Sequence, residues 1–229
     1  MGRPLRVAPG ELISHVLNRA NGRQRLFDDD GDYRAFERLM TQACDRVPMR
    51  LLAYCVMPNH WHLVVWPRQD GDPSRFMNWL TLTHTQRWHT HRQTVGTGQL
   101  YQGRFKSFVA QTDEHLLTLC RYVERHALRA GLVERAEAWR GSSLWRKTYG
   151  DATPQTLVSE WPVARAPDWV GWVNADEGGE ELRRLRQSVV RSQPFGELEW
   201  VTAMIERLGL VSTIRNEGRP QKVLVKNCS

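Results

Sequence analysis

His60-Trp61-His62 places two imidazoles at alternate positions of an apolar run, HWHLVVW. In an extended strand successive side chains point to opposite faces, so the two rings share a face, their backbones about 7 Å apart, close enough to reach one metal ion. Trp61, Leu63 and Val65 then take the opposite, core-facing side. Later in the chain, Tyr122 and His126 stand four residues apart, beside the apolar stripe of a helical pattern. At that spacing two side chains lie one above the other, about 5–6 Å apart at Cβ. Each pair alone has a bland reading, as two surface histidines on a strand and as a rim tyrosine with a surface histidine. Aimed at one place, they make a nitrogen-ligand site for a divalent ion beside a phenol.

The elements that must aim them follow from hydrophobic period and turn chemistry. Leu12 to Arg19 reads as a strand, with the Asn21-Gly22 turn after it. The run FDDDGDYRAFERLMTQACDR is an acid-capped helix with Tyr33, Phe36, Leu39, Met40 and Ala43 inward. Its cluster Asp28, Asp29, Asp30 and Asp32 is read as helix capping, since a helix N-terminus attracts carboxylates. Met49 to Met57 and His60 to Trp66 form a hairpin about Pro58-Asn59. Pro73 to Arg92 is a helix with Phe76, Trp79, Leu80 and Thr83 inward, and Arg104 to Gln111 is a fourth strand. Thr112 to Ala130 is the clearest helix, capped by Thr112 or Asp113 and ended by Gly131. The order β-α-β-β-α-β-α predicts an α+β fold, a ferredoxin-like antiparallel sheet with helices on one face and a final helix. Residues 151–175 read as a linker or a surface-packed extended segment. Residues 176–229 read as a helical appendage, with helices over Glu180 to Arg191 and Gly196 to Leu208, then a polar tail whose Gly218-Arg219-Pro220 suits a minor groove, though fraying explains it as well.

Charge separates these regions. Residues 1–150 hold 22 Lys+Arg against 14 Asp+Glu, a net +8, while residues 151–229 hold 10 against 11, so the whole surplus of +7 lies in the first part. Nearly all its cations are Arg, whose planar fork suits bidentate phosphate contact. A basic chain has nucleic acid as its first-guess partner. No apolar run approaches the ~20 residues of a membrane span, and the N-terminus lacks the apolar region of a signal peptide, so the chain is read as cytoplasmic. Cys44, Cys55, Cys120 and Cys228 are scattered without a CxxC, as expected of reduced thiols.

Several ordered stretches resemble one family. AYCVMPNHWHLVVW (53–66), LYQGRFKSFVA (100–110), CRYVERHALRAGLV (120–133) and WRGSSLWRKTYG (139–150) are similar to the REP-associated tyrosine transposases. These belong to the single-tyrosine HUH (histidine, hydrophobic, histidine) superfamily. The opening RPLR, HVLNRANGRQRLF and DDDGDYRAF share the likeness, which covers residues 3–150 nearly continuously and the C-terminal WVTAMIERLGLVSTIRNEGRPQK less distinctly. The resemblance implies an HUH transposase domain over 1–150, His60 and His62 as metal ligands and Tyr122 as nucleophile. It places His126 where relatives usually carry Asn, or Gln in related enzymes, as third ligand. That is a departure: three nitrogens suit Zn, Co or Mn better than Mg, which prefers oxygen. The implied cofactor is a divalent ion, Mg²⁺ or Mn²⁺, and the implied partner single-stranded hairpin DNA from a repetitive extragenic palindrome.

The expected reaction is metal-dependent nicking and strand transfer through a 5′-phosphotyrosine adduct with a free 3′-hydroxyl, because a phenol with a pKa near ~10 needs help against an anionic diester. Arg19, Arg23, Arg25, Arg104 and Lys106 are the candidate DNA contacts, backbone cations being a usual way to hold single strands. The chain is compatible with a monomer or a homodimer. Two readings compete: a hydrolase whose three histidines hold zinc and activate water, with Tyr122 a bystander, and a non-catalytic nucleic-acid-binding module.

Overall fold

The computed structural model describes residues 9–150, 157–176 and 178–214. The N-terminal RPLR motif, residues 151–156 of the expected linker, Gly218-Arg219-Pro220 and Cys228 lie outside them.

Four strands, β1 (Ser14–Arg19), β2 (Met49–Met57), β3 (His60–Pro67) and β4 (Lys106–Val109), form one antiparallel sheet in the order β2-β3-β1-β4. This is the order that two interleaved β-α-β units produce. Helix α1 (Asp30–Arg46) links β1 to β2 and α2 (Asp72–His91) links β3 to β4. The cap of α1 is Asp29, whose side chain accepts from the Asp32 N–H at 3.1 Å. Asp28 and Asp32 both pair with Arg92, at the end of α2, so the acidic run caps and clamps the crossover helices.

Strand parity divides the core in two. Val16, Trp61, Leu63 and Val65 meet Phe36, Leu39 and Met40 of α1 and Phe76, Met77 and Leu80 of α2. Both crossover helices therefore share one face, as expected. The final helix, α3 (Glu114–Glu124), packs on the other, where Leu116, Leu119, Cys120 and Val123 meet Cys55 and Val64. Asp113 caps it, accepting from the His115 N–H at 2.9 Å.

The expected helix from Thr112 to Ala130 is interrupted. Arg125, at φ −79° and ψ −5°, flattens the turn, and a short helix α4 (His126–Arg129) follows. Arg129 Nη1 donates to the Tyr122 carbonyl at 3.3 Å and Arg125 Nη1 to the Val173 carbonyl at 2.7 Å, so guanidinium groups serve the backbone where the ladder breaks. Gly131 ends the run at φ 69°, a conformation that favours glycine.

Both sheet edges are covered, which removes the pairing liability of open strands. On the β2 side the Val56 N–H donates to the Gly141 carbonyl at 2.7 Å and the Tyr54 N–H to Oγ of Ser143, the first residue of α5 (Ser143–Tyr149), at 3.0 Å. On the β4 side Phe195 lies parallel to the strand, its N–H donating to the Val109 carbonyl at 2.9 Å. A bulge between Leu51 and Ala53 frees two β2 carbonyls, which accept from the Ser159 N–H at 2.7 Å and Trp161 Nε1 at 2.8 Å. The stretch read as extended is helical over α6 (Trp169–Asn174), because Asp168 caps the Gly171 N–H at 2.9 Å while Trp169 and Val173 bury against the α3 core. Helices α7 (Glu180–Arg191) and α8 (Leu198–Arg207) fall where their period predicts.

Candidate active site

Register places the chemistry on the α3 face. Arg19 pairs with His60, Leu17 with His62 and His15 with Val64, while Lys106 pairs with Leu17 and Phe108 with His15. Directly paired residues share a face. His15, Arg19, His60, His62 and Lys106 therefore all look towards α3 and its extension.

There Tyr122 and His126 meet the strand histidines. The His62 ring lies 4.3 Å from that of His126 and 6.4 Å from that of Tyr122, centre to centre, and Tyr122 lies 6.1 Å from His126. His60 Nε2 is 3.0 Å from His126 Nε2, and one nitrogen from each of the three histidines falls within 4.8 Å of the others. These three nitrogens are the ones that would hold a single divalent ion.

Electrostatics keep these rings neutral. Burial, and then the Arg19 guanidinium, lower the His60 pKa to about 4. Burial and the neighbouring His126 hold His62 well below the ordinary imidazole value, and burial and Arg129 do the same for His126. Neutral imidazoles keep a lone pair, so the donor set fits a divalent ion of borderline softness.

Each ring has a second partner. His60 Nδ1 lies 2.7 Å from Asn59 Oδ1, while Asn59 Nδ2 donates to the Arg23 carbonyl at 3.2 Å and so turns its oxygen to the ring. His62 Nδ1 lies 2.8 Å from Nε2 of His15, which is fully buried and whose pKa burial lowers to about 3. Arg129 Nη2 donates to His126 Nδ1 at 2.6 Å, and its guanidinium carbon sits 4.0 Å over the Tyr122 ring. His15, Asn59 and Arg129 were not singled out from sequence. Arg129 was visible there only as a helical neighbour of His126, and His15 needed the strand register.

A groove of about 940 Å³ opens beside the cluster, lined by His62, Tyr122 and His126 together with Arg19, Arg104 and Lys106. Its far wall includes Val190 in the last turn of α7, Ser192 just after it, and Leu210 and Thr213 after α8. Lys106 Nζ reaches across to the Val190 carbonyl at 3.5 Å. Arg23 and Arg25 stand apart from this lining: Arg25 pairs with Asp28 at 3.0 Å, and Arg23 lies in the turn before α1. His84 of α2 is buried against Phe27 and Phe36, its Nδ1 2.6 Å from the Tyr101 hydroxyl.

Comparison with known proteins gives the family and the fold. A REP-associated tyrosine transposase named in Haemophilus influenzae is 23% identical over 128 residues, 52% of this chain and 73% of the relative. A solved REP-associated tyrosine transposase bound to a REP hairpin superposes with a TM-score of 0.53 at 18% identity, covering 70% of this chain and 98% of that one, which shows a shared fold. The family model described as "Transposase IS200 like" matches residues 10–126, just over half of the chain, and the protein belongs to that family.

Proposed function

We propose that the protein nicks and rejoins single-stranded DNA beside a hairpin, with Tyr122 as nucleophile and a divalent ion, Mg²⁺ or Mn²⁺, held by His60, His62 and His126. The observation that carries this is the meeting of a tyrosine with three neutral imidazoles at the mouth of a basic groove. The hairpin is carried over from the solved relative's ligand. The catalytic domain spans 1–150, and segments of 176–229 form the far wall of the groove. A chain that works on chromosomal DNA in this way acts in the cytoplasm.

In the proposed reaction the Tyr122 oxygen attacks phosphorus, the bond to the 3′ oxygen breaks, and the phenol proton leaves as the 3′ oxygen gains one. The products are a 5′-phosphotyrosine and a free 3′-hydroxyl, so a later 3′-hydroxyl can reverse the step without ATP. When bound, a divalent ion supplies positive charge against the scissile phosphate. Arg19, Arg104 and Lys106 hold the strand's phosphates, and the Tyr122 ring, covered by the Arg129 guanidinium at 4.0 Å and 6.1 Å from the His126 ring, supplies the attacking oxygen. In this reading Arg23 and Arg25, off the groove, meet duplex phosphates of the hairpin.

A denaturing gel of the protein with a hairpin oligonucleotide and Mn²⁺ tests this. A covalent protein-DNA band absent in Tyr122→Phe supports it. Free cleaved product from both proteins favours metal-activated water, and intact shifted DNA favours binding alone.

A further inference from the structure

The three imidazoles face a metal with unequal second partners. Asn59 Oδ1 accepts, which puts the His60 proton on Nδ1 and leaves the Nε2 lone pair pointing into the site. His15 Nε2 can accept from or donate to His62 Nδ1, so that pair can pass its shared proton either way. Arg129 has five N–H groups and no acceptor. Its bond to His126 Nδ1 therefore puts the proton of the neutral ring on Nε2. That N–H points at His60 Nε2, 3.0 Å away, and the four residues form one directed chain from Arg129 through His126 and His60 to Asn59. Metal ligands normally donate their other ring N–H outward. His126 is held the opposite way round.

We propose that Arg129 is a positioning residue that withholds His126 from a divalent ion in the DNA-free protein, leaving His60 and His62 as its nitrogen ligands, and that a bound phosphate releases His126 by drawing the guanidinium away. The guanidinium sits over the Tyr122 ring, beside the atom that must meet phosphate, so an incoming diester competes for the same N–H groups. Once Arg129 turns, the His126 proton moves to Nδ1, the ring stays neutral, and Nε2 becomes a ligand. Metal affinity and DNA binding are then coupled and, by linkage, each strengthens the other.

The proposal rests on the metal reading above, and the test separates the two. Mn²⁺ affinity is measured without DNA, by the EPR signal of free Mn²⁺, on the full chain. Arg129→Met is expected to tighten binding about tenfold, the scale on which outer partners of metal ligands act. Arg129→Lys, which still donates, is expected to stay near the unaltered protein. His126→Ala should change affinity less than about twofold in the original background but erase the gain of Arg129→Met, a coupling that a purely structural role for Arg129 does not produce. A tenfold loss in His126→Ala alone, or no gain in Arg129→Met, overturns the proposal. If the unaltered chain takes up no Mn²⁺, or takes it up equally after His60→Ala and His62→Ala, the metal reading fails with it; if those variants abolish uptake and Arg129→Met is neutral, only the proposal fails.

Discussion

The two faces of the sheet are built from the same strands and differ in almost everything else. On the α1/α2 face, Val16, Leu63 and Val65 interdigitate with helix side chains, and in the middle of that core Trp61 Nε1 donates to the Tyr101 hydroxyl at 3.1 Å, which also meets His84. On the α3 face an apolar half, Cys55, Val64, Leu116 and Leu119, gives way to the histidine cluster, where His15 Nδ1 is buried without a hydrogen-bond partner. Alternation along a strand lets one side secure the fold while the other carries groups that packing alone would not select. The first face should therefore respond to mutation in stability, and the second in chemistry.

The largest effect belongs to the second face. Tyr122→Phe should abolish the covalent adduct on the denaturing gel while shifting Tm by no more than about 2 °C, since the ring and its contact with Arg129 remain; a large fall in Tm would mean that the phenol is part of the core and blur the division. Phe36→Ala probes the first face. It empties a fully buried site beside Trp61 and should cost about 3–5 kcal/mol, a fall in Tm of roughly 10 °C, with unchanged adduct per folded molecule.

Acid should act on both faces. His84 on the first and His15 on the second are pushed down by burial to about 3, so both stay neutral in the fold while the unfolded chain takes up protons near 6.5. The unfolded state binds more protons between those values. Stability is thus complete above about pH 6.5 and is lost as pH falls towards 3, by about 2 kcal/mol per histidine at pH 5. Thermal melts at pH 7.5 and 5 should differ accordingly, and His15→Phe should remove one histidine's share of the slope. A flat profile would mean that these rings are protonated in the fold.

Much of this division was legible beforehand. The bounds of β2, the hairpin, the inward stripe of α1, the shared face of His60 and His62 and the stacking of Tyr122 with His126 follow from local period and spacing, while the grouping of all three histidines as one ligand set came from the family resemblance. What escaped depends on pairing or on long-range capping. His15 becomes a partner of His62 only because β1 lies between β3 and β4, and the Arg125 break depends on carbonyls distant in sequence. Residues 157–175 carry no clean period because Ser159 and Trp161 bond to carbonyls that the β2 bulge leaves open and the Val173 carbonyl accepts from Arg125.

The smallest predicted effect is the sharpest test of the second face. The family resemblance implies Asn in place of His126, and the two side chains differ in how many partners one atom can serve. A ring nitrogen has a single lone pair, so accepting from Arg129 at Nδ1 commits His126 Nε2 to its proton. An amide oxygen has two lone pairs and could accept from Arg129 and face an ion together. It is also the harder ligand, the kind Mg²⁺ prefers. His126→Asn should therefore lower the Mg²⁺ concentration for half-maximal cleavage by about tenfold, about 1.4 kcal/mol, and shift the Mn²⁺ requirement less. In that background Arg129→Met should no longer tighten metal binding, because nothing remains to be released. Loss of cleavage with both ions would show that the imidazole is required in its own right, and that this face was rebuilt around His126 and not merely altered at one ligand.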